Sequence, residues 1–203
     1  MGFYAEWILP SLIDLSMRNK RLRPYRERTA GAAEGRVLDI GIGSGLNLPF
    51  YSSAVTHLYA VDPSPELLAM TRKKVERMTF PVDLRCESAE HLSLDGRSVD
   101  TVVMTWALCT IPNPARALRE MRRVLKPQGR MIFIEHGLSA DSRVRAWQNG
   151  LNPVWSRVTG GCNLNRKIDD LLISSGFNIT ELRTAYPPGP RPLTYTYEGC
   201  AVN

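Results

Sequence analysis

Three glycines and two aspartates are the residues of this 203-residue chain best suited to grip a ligand. The run Asp39-Ile40-Gly41-Ile42-Gly43-Ser44-Gly45 follows Arg36-Val37-Leu38, so a short buried strand breaks there into a glycine turn. Glycines permit a sharp turn and let a ligand lie against bare backbone. The dinucleotide pattern G-x-G-x-x-G puts its last glycine where this chain has Leu46, one place after Gly45. The turn therefore suits a ligand without a pyrophosphate. Asp62 closes the next apolar run, Leu58-Tyr59-Ala60-Val61, twenty-three residues after Asp39. In a strand–turn–helix unit that tip lies beside the glycine turn, where a carboxylate accepts both ribose hydroxyls. The plainer role for Asp62, ahead of Pro63 and Ser64, is to shape the turn. The agreement of spacing and strand order favours a nucleoside site.

Residues able to handle protons or line an acceptor pocket lie further on. His136 follows the fifth apolar run, at the sheet edge where ligands bind, and is the best placed of three histidines to act as a base. A structural hydrogen bond that fixes the loop is an equal reading of it. Glu135 suits orienting that loop or His136 better than acting on substrate. Trp147, Leu151 and Trp155 recur every four residues, a helical stripe that packs as core or lines an apolar acceptor pocket. Cys162 reads as an inert packed thiol, since the spacing predicts no cysteine converging on it.

These residues need a frame. Ile8, Leu12 and Leu15 give an amphipathic helix over residues 3–17, and a basic helix follows, ending near Gly31. Strands are expected at 36–40, 58–61, 82–86, 99–105 and 130–135. Helices are expected after the glycine turn through Leu48 and Tyr51, from Ser64-Pro65-Glu66 to Arg77, and from Asn113-Pro114 to Lys126. Apolar strands alternating with helices call for a parallel sheet covered on both faces. A helix over 165–175 and two strand-like runs, 177–183 and 193–201, close the chain. The turn between them, 186–190, is too short for a parallel crossover. The fold class is therefore α/β: a Rossmann-like, doubly wound, mostly parallel seven-stranded sheet with an antiparallel C-terminal hairpin. The expected organisation is a helical cap over 1–31 and one domain over 32–203, with a helical insertion at about 138–165.

The totals restrict the function classes. No run of eighteen apolar residues appears, and the first residues lack a basic leader and cleavage site, so a cytoplasmic protein is expected. Cys86, Cys109, Cys162 and Cys200 are scattered in sequence, which suggests reduced thiols with no metal site and no disulfide frame. The net charge of +6 is concentrated between Arg18 and Arg28. Beside the apolar first helix, that cluster allows peripheral contact with a membrane surface, although Glu6 and Asp14 oppose anionic lipid. A lid over the site is the favoured role of the helix. No feature sets an oligomeric state.

Over residues 36–135 the chain resembles class I S-adenosylmethionine (SAM)-dependent methyltransferases. The resemblance rests on Val37 to Gly45, Val61-Asp62-Pro63-Ser64, Glu87-Ser88-Ala89-Glu90, Ser98-Val99-Asp100-Thr101-Val102-Val103 and Arg119 to Gly129. It implies that Asp39 and the backbone of Gly41, Gly43 and Gly45 hold the methionine end of SAM, and Asp62 the ribose. It implies an adenine pocket of Pro63, Leu67 and Ala89, with Ser88 where relatives often carry aspartate. Thr105 and Trp106 are placed near the sulfonium. The second half is similar to thiol S-methyltransferases and, more loosely, to bacterial phosphatidylethanolamine and quinone-precursor methyltransferases. The likeness rests on Trp106 to Cys109, Glu135-His136, Trp147-Gln148, Pro153-Val154-Trp155 and Gly161 to Arg166.

The implied acceptor is a small molecule, a thiol first, with a lipid amine or a quinone-like phenol as the alternative. Glu135, Trp147, Trp155 and Cys162 are its candidate contacts. A thiolate needs less help than a phenol or alcohol, because a free thiol has a pKa near ~8.5 and a sulfonium favours the anion. A nucleic-acid acceptor is disfavoured, because Thr105-Trp106-Ala107-Leu108 stands where base-methylating relatives carry an Asp/Asn-Pro-Pro-aromatic tetrad.

Overall fold

The computed structural model describes residues 8–203. Among them the strands are β1 (Gly35–Ile40), β2 (Val55–Val61), β3 (Val82–Arg85), β4 (Val99–Thr105), β5 (Leu125–His136), β6 (Asn178–Ala185) and β7 (Thr196–Val202). They form one sheet in the order β3-β2-β1-β4-β5-β7-β6. The first five pair in parallel, whereas β7 pairs antiparallel with both β5 and β6. This is the expected Rossmann-like sheet with its antiparallel hairpin. The order reverses beside β1, so the tips of β1, β2 and β4 face the crevice where open α/β sheets bind ligands.

The helices are α1 (Leu9–Met17), α2 (Arg23–Thr29), α3 (Pro65–Val75), α4 (Pro114–Val124), α5 (Ser142–Val158), α6 (Ile168–Ser174) and the short α7 (Arg191–Thr194). Strand side chains alternate between two cores. Leu38, Ile40, Val102 and Met104 pack with Leu118 and Met121 of α4 and Leu172 of α6. Val37, Leu58, Ala60 and Val103 pack on the other side with Leu68 of α3 and Ala30. Fully burying a leucine-sized side chain contributes roughly 1.5–3 kcal/mol, so these two layers hold the strand tips in place.

Three elements depart from expectation. The helix expected through Leu48 and Tyr51 is a single 3-10 turn, Leu48–Phe50. Asn47, which would cap it, turns its amide inward to Asp39, and the Tyr51 hydroxyl follows. β5 begins at Leu125 and shifts register against β4 between Val99 and Thr101. The first helix is described only from Leu9, so the expectation for residues 3–7 lies outside the described residues. Its buried side carries Pro10 and Asp14, while Ile8, Leu12 and Leu15 are exposed. The apolar stripe thus faces outward, opposite to a lid packed through it. The reason is local: Asp14 accepts a 2.5 Å hydrogen bond from Ser44 in the glycine turn, and this sets the helix's rotation.

Candidate active site

The glycine turn connects β1 to the crevice. Gly41, Gly43 and Gly45 all have left-handed backbone, with φ of 69°, 56° and 76°. At Gly41 an added Cβ would stand 2.7 Å from the Ala107 methyl group, so only glycine fits. At Gly43 such a Cβ would make only an ordinary contact, 3.9 Å from Gly41 O, so it is the left-handed backbone that calls for glycine there. The turn is held from behind: Thr71 Oγ1 donates to Gly43 O (2.7 Å) and Lys74 Nζ to Ser44 O (2.5 Å).

Asp62 lies at the end of β2 and is buried. Its Oδ2 accepts the Gly43 N–H and its Oδ1 the Ser64 N–H, both at 2.9 Å. One carboxylate therefore joins the glycine turn to the start of α3. Burial pushes its pKa up, and the two N–H groups pull it back. Ser64 caps α3 by accepting the Leu67 N–H at 3.2 Å. Leu67 and Ala89 are buried and Pro63 is exposed. Cys86 Sγ lies 3.8 Å from Pro63 O, so the segment after β3 approaches Pro63. Ser88 Oγ accepts the Glu90 N–H and so shapes its own loop.

Asp39 is fully buried and spends its oxygens inside the protein. Tyr51 Oη donates to it at 2.8 Å and Asn47 Nδ2 at 3.0 Å. Asn47 Nδ2 also reaches Thr105 Oγ1 (3.0 Å), and its Oδ1 accepts from Arg26 Nη1 (2.7 Å). Arg26 lies 5.0 Å from the centre of the Trp106 ring, whose edge meets Tyr25. Burial lifts the Asp39 pKa to about 6 against the pull of Asn47, Tyr51 and Arg26. Burial also lowers that of Arg26 to about 10, with Asp39 opposing the change. Sequence reasoning missed Asn47, Tyr51 and Arg26. The contacts join residues of α2, β1, the 3-10 segment and β4, and no local motif records them.

At the β4 and β5 tips, Trp106 has φ of 53°, unusual for a bulky residue and a mark of a constrained position. The next two amides, Ala107 N (2.7 Å) and Leu108 N (3.0 Å), donate to Glu135 Oε1. Glu135 is fully buried, and its Oε2 has no hydrogen-bond partner among the described residues. It fastens the β4 loop. Burial raises its pKa to about 7 against those N–H bonds. The pKa exceeds the unfolded value of 4.5, so the stability it contributes is complete below ~4.5 and is lost as pH rises through ~7. Asp39 acts in the same sense at lower pH. Wild-type stability should fall between pH 5 and pH 8. In Glu135→Gln, whose amide oxygen still accepts both N–H groups, the fall should shrink, by up to roughly 3 kcal/mol. Urea unfolding at the two pH values checks this, and equal slopes in both proteins would contradict it.

His136 Nε2 lies 2.9 Å from Cys162 Sγ, and Cys162 Sγ lies 3.7 Å from Cys109 Sγ. The spacing predicted no cysteine near Cys162; the fold supplies Cys109, fifty-three residues away. The Cys109 side chain and burial push the Cys162 thiol up, and the His136 imidazole is raised because its contact with Cys162 outweighs the lowering effect of burial. On α5 the packed residues are Val144 and Gln148. Trp147 is 67% exposed, Leu151 is exposed and Trp155 half-buried, so the stripe is not core. Gln148 takes the inward place because its amide binds Ser139 N and Gly137 O. A surface hollow of about 950 Å³ lies at the opposite ends of the strands, beside Gly35, Asp100 and Lys126. A smaller one lies by His91 and Arg116. Neither touches the glycine turn, and the chemistry locates the site better than concavity does.

Residues 38–133 match the methyltransferase domain family. The chain is 38% identical over 137 residues to a phosphatidylethanolamine N-methyltransferase of Cereibacter sphaeroides, covering 66% of each chain. It is 33% identical over 170 residues to the human thiol S-methyltransferase TMT1A, covering 79% of this chain and 69% of the relative. The chain thus spans about two thirds of the length of these curated relatives. A SAM-dependent methyltransferase from Methanosarcina mazei superimposes with a TM-score of 0.67 at 20% identity, covering 91% of this chain and 97% of that one. One from Aquifex aeolicus gives 0.64 at 19% identity, with 95% and 97% covered. These two likenesses concern the fold alone. The side-chain-free turn at Gly41, Gly43 and Gly45 and the carboxylate of Asp62 beside it fit an adenosyl ligand. The chain belongs to the class I SAM-dependent methyltransferases, enzymes whose cofactor is S-adenosylmethionine.

Proposed function

We propose that this enzyme methylates a small-molecule thiol. The observation that carries this reading is that each acid–base group at the strand tips is engaged by the protein or, as with Glu135 Oε2, sealed from solvent. Asp39 is tied to Asn47 and Tyr51, Asp62 to two backbone amides, Glu135 to two more, and His136 Nε2 to Cys162. An alcohol or phenol acceptor needs a free base, whereas a thiol ionises near neutrality by itself. Thiol S-methyltransferases among the relatives support the same acceptor, and the phosphatidylethanolamine relative supports a lipid amine instead.

SAM supplies, when bound, an electrophilic methyl group on a sulfonium. The chain's task is to align and to exclude water. In this reading Asp62 receives the ribose hydroxyls, the backbone of Gly41 to Gly45 receives the methionine end, and Pro63, Leu67 and Ala89 flank the adenine. Arg26 is the cation offered to the methionine carboxylate. Thr105 and Trp106 border the reacting centre. His136 holds the acceptor-side loop through Cys162 and takes no proton. Residues 8–31 of the N-terminal cap form one wall of the site, and the insertion at about 138–165, with Trp147 and Trp155, borders the acceptor.

Labelled SAM offered with alkyl thiols, a phenol and an ethanolamine lipid tests the reading. We expect label on the thiols. Across thiols of different acidity, kcat/KM should rise with pH through each acceptor's own pKa. One protein pKa common to all acceptors would show that a base operates, and label on the lipid amine alone would overturn the thiol assignment.

A lipid surface is the favoured setting for the acceptor. Ile8, Leu12 and Leu15 point outward from α1, and the exposed Arg18, Lys20 and Arg21 follow directly. Asp14 is turned inward and bonded to Ser44, so it does not oppose anionic lipid. The enzyme should float with phosphatidylglycerol vesicles at low salt, and the Leu12→Ser/Leu15→Ser variant should lose most of that binding. Equal flotation of both proteins would count against this surface.

A further inference from the structure

We propose that Cys109, His136 and Cys162 form a binding site for one thiophilic cation of the Zn²⁺ type. The proposal stands apart from the choice of acceptor. The two sulfurs and a ring nitrogen lie within 4.8 Å of one another and come from three separated segments. Cys109 follows β4, His136 ends β5, and Cys162 lies in the turn after α5.

The spacing suits tetrahedral coordination. With Zn–S near ~2.3 Å and Zn–N near ~2.05 Å, tetrahedral angles put two sulfurs ~3.8 Å apart and a sulfur and nitrogen ~3.5 Å apart. The two Sγ atoms stand 3.7 Å apart already. The Cys162 Sγ to His136 Nε2 separation of 2.9 Å must open by roughly 0.6 Å, within reach of a side-chain torsion.

The site is also pre-assembled. Asn163 N and Nδ2 both donate to the Cys109 carbonyl, at 2.9 and 3.1 Å, which latches the two cysteine-bearing loops together. Arg166 donates to the carbonyls of Leu108 and Ile111, on either side of Cys109. Little backbone ordering is left for an ion to impose. Cys109 is buried, and His136 and Cys162 are half-buried. Three protein ligands leave a fourth position for water or another small ligand.

Binding is balanced by proton release. Each thiol forms a sulfur–metal bond and loses its proton to solvent, and His136 contributes the Nε2 lone pair. One Zn²⁺ taken up should therefore free about two protons near pH 7.

The test is a titration of the purified, chelator-treated protein with Zn²⁺ against a chromophoric chelator, with heats measured in buffers of different ionisation enthalpy. We expect one ion per chain, about two protons released, and a thiolate-to-metal absorption band when Co²⁺ replaces Zn²⁺. Cys109→Ser and Cys162→Ser should each weaken binding by roughly 100-fold, whereas Cys86→Ser and Cys200→Ser should leave it unchanged. Retained SAM binding shows that a variant is folded. If the ligand variants do not fold, the wild-type titration decides. Substoichiometric binding, uptake without proton release, or competition by Cys86 or Cys200 overturns the site. Zinc binding needs no acceptor, so failure here leaves the thiol reading standing, and failure of that reading leaves this site standing.

Discussion

We expect Asp62→Ala to raise the Kd for SAM by roughly 100-fold or more. The carboxylate accepts two backbone amides, Gly43 N–H and Ser64 N–H, and is the acidic group beside the open face of the glycine turn. Its removal takes away the proposed acceptor of the ribose hydroxyls and releases the turn from α3. Hydrogen bonds to a charged group contribute about 1.5–3 kcal/mol each, and two of them account for a loss of this size. Asp62→Asn sharpens the test. Its amide keeps one accepting oxygen but turns an NH₂ toward a backbone N–H, so affinity should fall by an intermediate amount. Calorimetry with SAM and with its demethylated product reads both variants. Affinity within threefold of wild type in Asp62→Ala would remove Asp62 from the cofactor site.

Asn47→Ala should produce the largest loss of stability. This side chain donates to Asp39 and Thr105 and accepts from Arg26, all in the interior. Without it Tyr51 is the one side-chain donor to Asp39 left among the described residues, and Arg26 is left with the distant Met17 carbonyl and the Trp106 ring. A buried charge that loses its partner costs more than one hydrogen bond, and we expect roughly 2–4 kcal/mol. For a chain of this size each kcal/mol lowers Tm by about 2–4 °C, so Tm should drop by roughly 4–16 °C. A loss below ~1 kcal/mol would mean that the network is not a support of the site.

The parts legible in the sequence are those fixed by neighbours along the chain. The glycine turn, the Asp62 tip and the Ser64-Pro65-Glu66 helix start are local patterns, and the structure places each at a strand end. The antiparallel pairing of β6 and β7 was legible from the two runs lying close in sequence, although the connection runs over 186–195 and holds α7 where strand was expected from 193. The remainder depends on contacts between distant residues. Asn47 looks like an ordinary loop residue until Arg26, twenty-one positions earlier, reaches it. Cys109 and Cys162 share no motif, and only the return of the chain after α5 joins them. The α1 stripe was legible as helical, but its direction was not. A single hydrogen bond from Ser44 to Asp14 rotates the helix so that its polar residue is buried and its leucines are outside.

The proposed cofactor site requires Gly41 to Gly45 and Asp62 to grip one adenosyl ligand. Titration calorimetry of the purified chain with S-adenosylmethionine, followed by competition with adenosine and with NAD, tests that claim most directly. It should show one SAM per chain, displaced by adenosine and untouched by NAD. No heat with SAM, or displacement by NAD as effective as by adenosine, would contradict it.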